Sequence, residues 1–208
     1  MSKLKTALRI CLCVISKIYM RLRFRSKKLN KWHISATYHC RPYKKKIVDL
    51  VNTINPDIVI EIGCGIGEIC GRVNPNEVYG IDLDPEAIRV ANIINNGPQY
   101  IVENPLVNKK SFNHFLSSLP YSKRKVFVAV NFLHALNFDL VKDFVLNVIN
   151  TPNSYLIIDK YSRKEFCKKN RFNKFNHDCD KLFGNDNYIF MNKLDEVRDL
   201  ILVNNKSI

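Results

Sequence analysis

The sequence predicts an α/β fold in which helices cover both faces of a mostly parallel, seven-stranded sheet. Short apolar runs rich in β-branched residues alternate with segments whose apolar residues recur at helical spacing. This alternation is typical of βαβ units. The 208 residues, 46% hydrophobic and 25% charged, suit a globular domain with an appendage.

Positive charge is concentrated at the N-terminus. Residues 1–50 contain 14 Lys or Arg and one acidic residue, Asp49, whereas residues 51–208 contain 19 Lys or Arg and 18 Asp or Glu. The net charge of +14 therefore belongs almost wholly to the first segment. We predict a basic N-terminal extension over residues 1–40 and a nearly neutral domain over residues 41–208.

The extension begins with a predicted helix whose apolar residues fall on one side, at Leu4, Leu8, Cys11, Leu12, Ile15 and Tyr19. A basic run follows from Arg21 to Lys31. The longest uncharged apolar run, Ile10 to Ile15, is far too short to span a bilayer. We expect residues 1–31 to contact an anionic membrane surface peripherally. The alternatives are that the helix packs on the domain or that nucleic acid binds the same charges.

Cysteine usage signals no metal or redox site. The seven cysteines form no C-x-x-C pair, which disfavours both a zinc ribbon and a redox dithiol. We expect reduced thiols, no bound metal and a cytoplasmic location, at most peripheral at the inner face of the membrane.

The elements of the domain follow in order. Pro42 begins a helix that Asn55-Pro56-Asp57 ends, and Ile58–Ile62 is a buried strand. The second strand ends at Asp82, and Asp84 caps the next helix. Further strands are predicted at 100–102, 126–130, 155–159, 188–191 and 199–203, and further helices at 111–119 and 140–149. Because the loop before the last strand is too short for a crossover, that strand is antiparallel.

A glycine-rich turn, Gly63-Cys64-Gly65-Ile66-Gly67, follows the first strand. Glycines let the backbone approach a ligand closely, and we expect a helix to follow with its N–H groups facing that ligand. Asp82 ends the next strand, where a carboxylate can accept hydrogen bonds from two ribose hydroxyls. The third glycine of a dinucleotide fingerprint would fall at position 68, which is Glu68.

This pattern, an acid before G-x-G-x-G and an acid ending the second strand, resembles the class I S-adenosylmethionine-dependent methyltransferases over residues 41–203. The resemblance implies a Rossmann-like fold, S-adenosylmethionine as cofactor and methyl transfer as reaction. It implies that Glu61 orients the amino group of the cofactor, that Asp82 binds its ribose and that Leu83 packs on its adenine. Further residues expected to contact the cofactor are Gly63, Cys64, Gly65, Gly67, Asn104, Asn131 and Arg41.

A narrower likeness concerns three segments outside the glycine turn. Residues 32–43, 131–134 and 177–178 resemble parts of small bacterial methyltransferases associated with surface-glycan or secondary-metabolite pathways. This likeness implies a small-molecule or glycan-linked acceptor, methylated at oxygen. The Asp-Pro-Pro-Tyr and Asn-Pro-Pro-Tyr signatures of enzymes that methylate base or amide nitrogens are absent after the fourth strand.

The predicted catalytic residues follow the fourth and fifth strands, whose carboxyl ends lie at the ligand edge of such a sheet. His134 is the first candidate for a general base, because the ordinary pKa of histidine lies near neutrality. Its alternative role is as a buried histidine under the next helix. His177, beside Asp178, is a second candidate base or a surface residue, and Asp159 is the third catalytic candidate.

A basic segment from Lys160 to Lys174 follows the fifth strand and either is solvated or binds an anionic acceptor. The basic N-terminus keeps open a second hypothesis, an RNA methyltransferase, although few aromatic residues accompany the charges. A third hypothesis, from another class, is a non-catalytic nucleotide-binding protein. The intact glycines and Asp82 count against it.

Overall fold

The computed structural model of the protein describes residues 3–24, 29–161, 177–183 and 188–204. Seven strands form one sheet in the order β3-β2-β1-β4-β5-β7-β6. The strands are β1 (Ile58–Ile62), β2 (Glu77–Asp82), β3 (Gln99–Val102), β4 (Lys125–Ala129), β5 (Ser154–Tyr161), β6 (Tyr188–Lys193) and β7 (Arg198–Asn204). Strands β1 to β5 pair in parallel, and β7 is antiparallel to both β5 and β6. The predicted sheet is confirmed.

Seven α-helices accompany the sheet in the described ranges. They are α1 (Lys3–Arg23), α2 (Lys31–Ser35), α3 (Pro42–Ile54), α4 (Pro85–Ile94), α5 (Lys109–Ser118), α6 (Phe138–Ile149) and α7 (Cys179–Phe183). Pro42 begins α3 as predicted, and Asn55 ends it in the left-handed conformation. The Asp84 carboxylate caps α4 by accepting the amides of Glu86 and Ala87. Local sequence signals thus fix these helix ends.

The core lies on both faces of the sheet, and β1 shows how the two halves are divided. All five residues of β1 are buried. Ile58 and Ile60 belong to the cluster that α5, α6 and α7 cover, whereas Val59 belongs to the cluster on the α3 side. Successive side chains of a strand point to opposite faces, so a strand buried on both sides is apolar throughout, as the sequence predicted.

The helix predicted after the glycine-rich turn is not formed. Residues 65–69 are turns, and only a 3₁₀ helix, Cys70–Arg72, follows. Gly67 and Gly71 lower helix propensity, and Pro75 follows closely. The left-handed conformation of Gly67 also interrupts any α-helix at this point.

The extension is joined to the rest of the chain covalently and by apolar packing. Cys13 of α1 and Cys40 form a disulfide, with Cα atoms 4.7 Å apart. The expectation of reduced thiols is therefore wrong for this pair, because folding brings together two cysteines 27 residues apart. Disulfides are uncommon in a reducing cytoplasm, so the pair also weighs against the compartment predicted from cysteine spacing.

A third apolar cluster attaches the extension to the glycine-rich turn and to α4. Met20, Phe24 and Leu29 pack with Ile66 of the glycine-rich turn and with Ala87 and Val90 of α4. None of the helices described here is long and apolar enough to cross a membrane.

Candidate active site

A cavity of about 360 Å³ opens at the carboxyl ends of the central parallel strands. Its walls come from the glycine-rich turn after β1, from Asp82 and Leu83 after β2, from residues 103–106 after β3 and from residues 130–132 after β4. The segment of α2 and the start of α3 close the remaining side. This position is the expected one for a ligand of an open α/β sheet.

The turn after β1 is held to the end of β2 by hydrogen bonds from the amides of Gly63 and Cys64 to the Ile81 carbonyl oxygen and by a bond to Asp82. The amide of Gly65 donates to the Asp82 carboxylate at 2.7 Å, and the amide of Asp84 donates to its other oxygen at 2.9 Å. Gly65 has a φ of +54°, and a Cβ there would come within 2.7 Å of the His33 ring. Only glycine combines this conformation with this close approach.

Glu61 lies at the floor of the cavity, 6% exposed. Its carboxylate accepts the amide of Cys70 at 3.0 Å. Burial raises the pKa of Glu61 to about 7, although this hydrogen bond and Lys44 oppose the shift. Cys64, which also lines the cavity, is a buried thiol whose pKa burial raises. Glu61 therefore gains its charge near neutral pH, next to the space that a ligand would occupy.

Two residues that the sequence analysis missed face the same floor. Lys44 donates to the carbonyl oxygen of Ala36 at 2.6 Å and lies 3.9 Å from Oε2 of Glu68. That oxygen is buried and accepts no hydrogen bond from the described residues. Burial lowers the pKa of the Lys44 ammonium. A cation and an incompletely paired carboxylate thus flank the cavity together.

Arg41, one of the residues predicted to contact the cofactor, does not line this cavity. Its guanidinium stacks on the Trp32 ring, 4.7 Å from the ring centroid. Because residues three apart lie on one side of a helix, Lys44 is the next cation of α3 on that side, and it lines the cavity instead. Helical spacing from Arg41 alone would not have separated Lys44 from the exposed Lys45, which lies four residues after Arg41.

The opposite end of the cavity carries the residues predicted to contact adenine. Leu83 is largely exposed at the rim. Asn104 also lines the cavity, and its side-chain oxygen accepts the amides of Leu106 and Val107. Glu103 accepts the Asn104 amide at 2.8 Å. The turn after β3 is therefore held by the side chains of Glu103 and Asn104.

Asn131 has a left-handed backbone, with a φ of +60°, at the end of β4. Its amide donates to Asp159 at 2.7 Å, and Arg198 donates to the other Asp159 oxygen at 2.6 Å. The Arg198 guanidinium also lies 4.5 Å from the centroid of Tyr43, which lines the cavity. Arg198, another residue the sequence analysis missed, thereby couples β5, β7 and α3 behind the cavity.

Comparisons with known proteins point in one direction. No protein-family model matches the chain. Ribosomal RNA small subunit methyltransferase A of Halothermothrix orenii is 27% identical over 118 residues, which are 55% of this chain and 39% of that protein. The chain thus matches well under half the length of this curated relative.

Solved structures match over far more of the chain. The N-methyltransferase NodS of Bradyrhizobium japonicum, with S-adenosylhomocysteine, has a TM-score of 0.60 at 12% identity, covering 92% of this chain and 100% of that one. Magnesium protoporphyrin IX methyltransferase of Synechocystis, also with S-adenosylhomocysteine, has a TM-score of 0.59 at 12% identity, covering 91% and 99%. The fold is that of the S-adenosylmethionine-dependent methyltransferases.

In this methyltransferase fold the three predicted catalytic residues meet around a second, much smaller cavity of about 10 Å³. His134 and Asp159 are buried there, and the His134 ring lies 5.1 Å from that of Tyr161. Nε2 of His177 lies 3.0 Å from the carbonyl oxygen of Leu133, and burial lowers the pKa of His177. None of the three lines the larger cavity, so their catalytic roles stay predictions.

The basic segment after β5 falls almost entirely outside the described residues. Lys160 and Tyr161 end β5, and the other cations of the predicted anion clamp lie in 162–176. The clamp therefore stays a prediction.

Proposed function

We propose that the protein transfers a methyl group from S-adenosylmethionine to a small-molecule acceptor. The observation that carries the proposal is the hydrogen bond from Gly65 to Asp82 at the edge of a 360 Å³ cavity. This hydrogen bond holds the glycine-rich turn, whose backbone a ligand can approach closely, beside a carboxylate that can accept hydrogen bonds from ribose hydroxyls. Neighbouring structures of the same fold include the N-methyltransferase NodS and a protein of Nostoc punctiforme described as a putative O-methyltransferase.

The residues present fit the cofactor. When bound, it supplies an activated methyl group on a sulfonium. The Asp82 carboxylate would accept hydrogen bonds from the ribose, and Leu83 and Asn104 would bound the adenine. The incompletely paired oxygen of Glu68 and the ammonium of Lys44 match the opposite charges of the amino-acid end. The apolar side chains of Trp32 and Phe132 would exclude water and help orient the acceptor.

Several finer points belong to the proposal. We infer an acceptor that is glycan-linked or otherwise small, methylated at oxygen, with His134, His177 or Asp159 as the base if a hydroxyl must lose its proton. An anionic acceptor would bind to the basic residues of the segment from Lys160 to Lys174, which follows β5. A cytoplasmic location stays a prediction, and the Cys13–Cys40 disulfide weighs against it.

A second candidate, RNA methylation, is compatible with the similarity to a ribosomal RNA methyltransferase and is motivated by the basic N-terminus. One experiment separates these functions. Purified protein is incubated with methyl-labelled S-adenosylmethionine and cell extract divided into small-molecule, lipid, glycan and RNA fractions. Label in a non-RNA fraction supports the first proposal, and label in RNA alone supports the second. Failure of calorimetry to detect cofactor binding would refute both.

A further inference from the structure

Helix α1 has two unlike sides, and only one of them packs on the protein. On the inner side, the Ser16 hydroxyl lies 2.7 Å from that of Thr37, and Cys13 is bonded to Cys40. Met20 and Phe24 are buried in the cluster that reaches the glycine-rich turn. The helix is therefore fixed on the domain through residues 13, 16, 20 and 24.

The outer side of α1 is an apolar stripe that none of the described residues covers. The outer stripe comprises Leu4, Leu8, Cys11, Ile15, Ile18 and Leu22, all exposed. The spacing alternates between four and three residues, so the side chains stay within a narrow sector of the helix. At about 1.5 Å per residue the stripe is roughly 27 Å long. Continuous exposed apolar surface of this kind marks an interaction site.

Basic residues border the outer stripe. At about 100° per residue, Lys5 and Arg23 fall on one flank of the stripe and Arg21 on the other. Helix α1 contains no acidic residue, and the first one in the chain is Asp49. Long basic side chains at such a border can reach phosphate groups while their methylene stems stay in contact with apolar surface.

We propose that the outer stripe of α1 inserts into the surface of an anionic lipid bilayer, with the flanking cations on the headgroups. The combination of stripe and cationic border is that of a helix lying in the interface plane. A second copy of this chain would bring the same cations against one another, and an RNA would leave the apolar stripe uncovered. Charge and apolarity together therefore fit a bilayer better than either alternative.

The proposed membrane contact does not depend on the proposed function. Only what the contact implies about the acceptor rests on that function. Helix α1 packs against α2, whose Trp32 and His33 line the larger cavity. A protein held to lipid by α1 would thus present this cavity near the bilayer. We infer that its acceptor is amphiphilic or lipid-linked, consistent with a glycan carried on a membrane anchor.

The test uses the full chain and sedimentation with sucrose-loaded vesicles. Pure phosphatidylcholine vesicles are compared with vesicles containing phosphatidylglycerol, at low and high salt. The stripe variant is Leu8→Asp with Ile15→Asp, whose side chains are 59% and 61% exposed. The matched control is Val107→Asp with Tyr121→Asp, at 80% and 75% exposure, which changes net charge equally. Because all four positions are exposed, the fold should survive in both.

We expect the wild type and the control to bind anionic vesicles at low salt and to leave them at high salt, since salt screens the cations. The stripe variant should bind at least about tenfold more weakly, because two apolar side chains are lost from the interface. Equal binding by both variants overturns the proposal. If the protein does not bind vesicles, the proposal is also overturned. This holds whether light scattering shows a dimer formed through the stripe or the protein binds RNA instead. Calorimetry with S-adenosylhomocysteine on the same samples tests the cofactor site separately.

Discussion

The amide of Gly65 donates to the carboxylate of Asp82 at 2.7 Å, so the turn after β1 and the end of β2 are one structural unit. The carboxylate that would bind the ribose also sets the position of the turn that would line the methionine part of the cofactor. A change at either residue should therefore disturb both contacts.

Asp82→Ala should weaken binding of S-adenosylhomocysteine by roughly 2–4 kcal/mol, through loss of charge-assisted hydrogen bonds and release of the turn. Isothermal calorimetry measures the change. Asp57→Ala is the control, because Asp57 accepts the amide of Arg124 near the amino end of β4, away from the cavity. Unchanged affinity in the Asp82 variant would contradict the assignment of the cavity.

Lys44→Met should reduce affinity for S-adenosylhomocysteine by about ten- to a hundredfold, the usual effect of removing a hydrogen bond to a charged group. Affinity for 5′-methylthioadenosine, which lacks the amino-acid end, should change little. Lys45→Met is the matched control, because Lys45 is an exposed neighbour paired with Asp49. If both ligands lose affinity equally, Lys44 only supports the fold.

The stability of the ligand-free protein should depend on pH through Glu61. Its pKa is about 7 in the folded protein against an ordinary value of 4.5. Between these values the folded state holds a proton that the unfolded state has released. The free energy of unfolding should therefore fall as pH rises, by up to about 1.4 kcal/mol per pH unit.

Urea unfolding of the wild type and of Glu61→Gln at several pH values from 4.5 to 8 isolates this contribution, since glutamine can still accept the Cys70 amide. The variant should lose the part of the slope that Glu61 contributes. Identical slopes would show that Glu61 is charged in the folded protein throughout this range.

If His134, the first of the three candidates, is the general base, His134→Ala should keep its affinity for S-adenosylhomocysteine and lose turnover by about 10²- to 10⁴-fold. Transfer of labelled methyl to the responsive extract fraction gives the rate, and thermal unfolding reports on the fold. Because His134 is 2% exposed, a lower melting temperature with full turnover per folded molecule would assign it to packing. His177→Ala then tests the next candidate.

Much of the fold could be predicted from the chain because its signals are local. The strand β1 has the predicted bounds, and Pro42 and Asp84 mark the starts of α3 and α4 as expected. The seven strands and the antiparallel β7 follow from apolar runs and loop lengths. The helix predicted after Gly67 is not formed. The motif indicated a helix there, but Gly71 and Pro75 disfavour one.

The sequence by itself determined the sheet, the helix caps and the glycine-rich turn, since each depends on residues close together in the chain. Only the tertiary structure decided which distant side chains meet. It joined Cys13 to Cys40, placed Lys44 opposite Glu68 and set Arg198 between Asp159 and Tyr43. It also turned the apolar side of α1 outward. Helical periodicity shows that a helix has an apolar side, but what that side contacts depends on packing across the whole molecule.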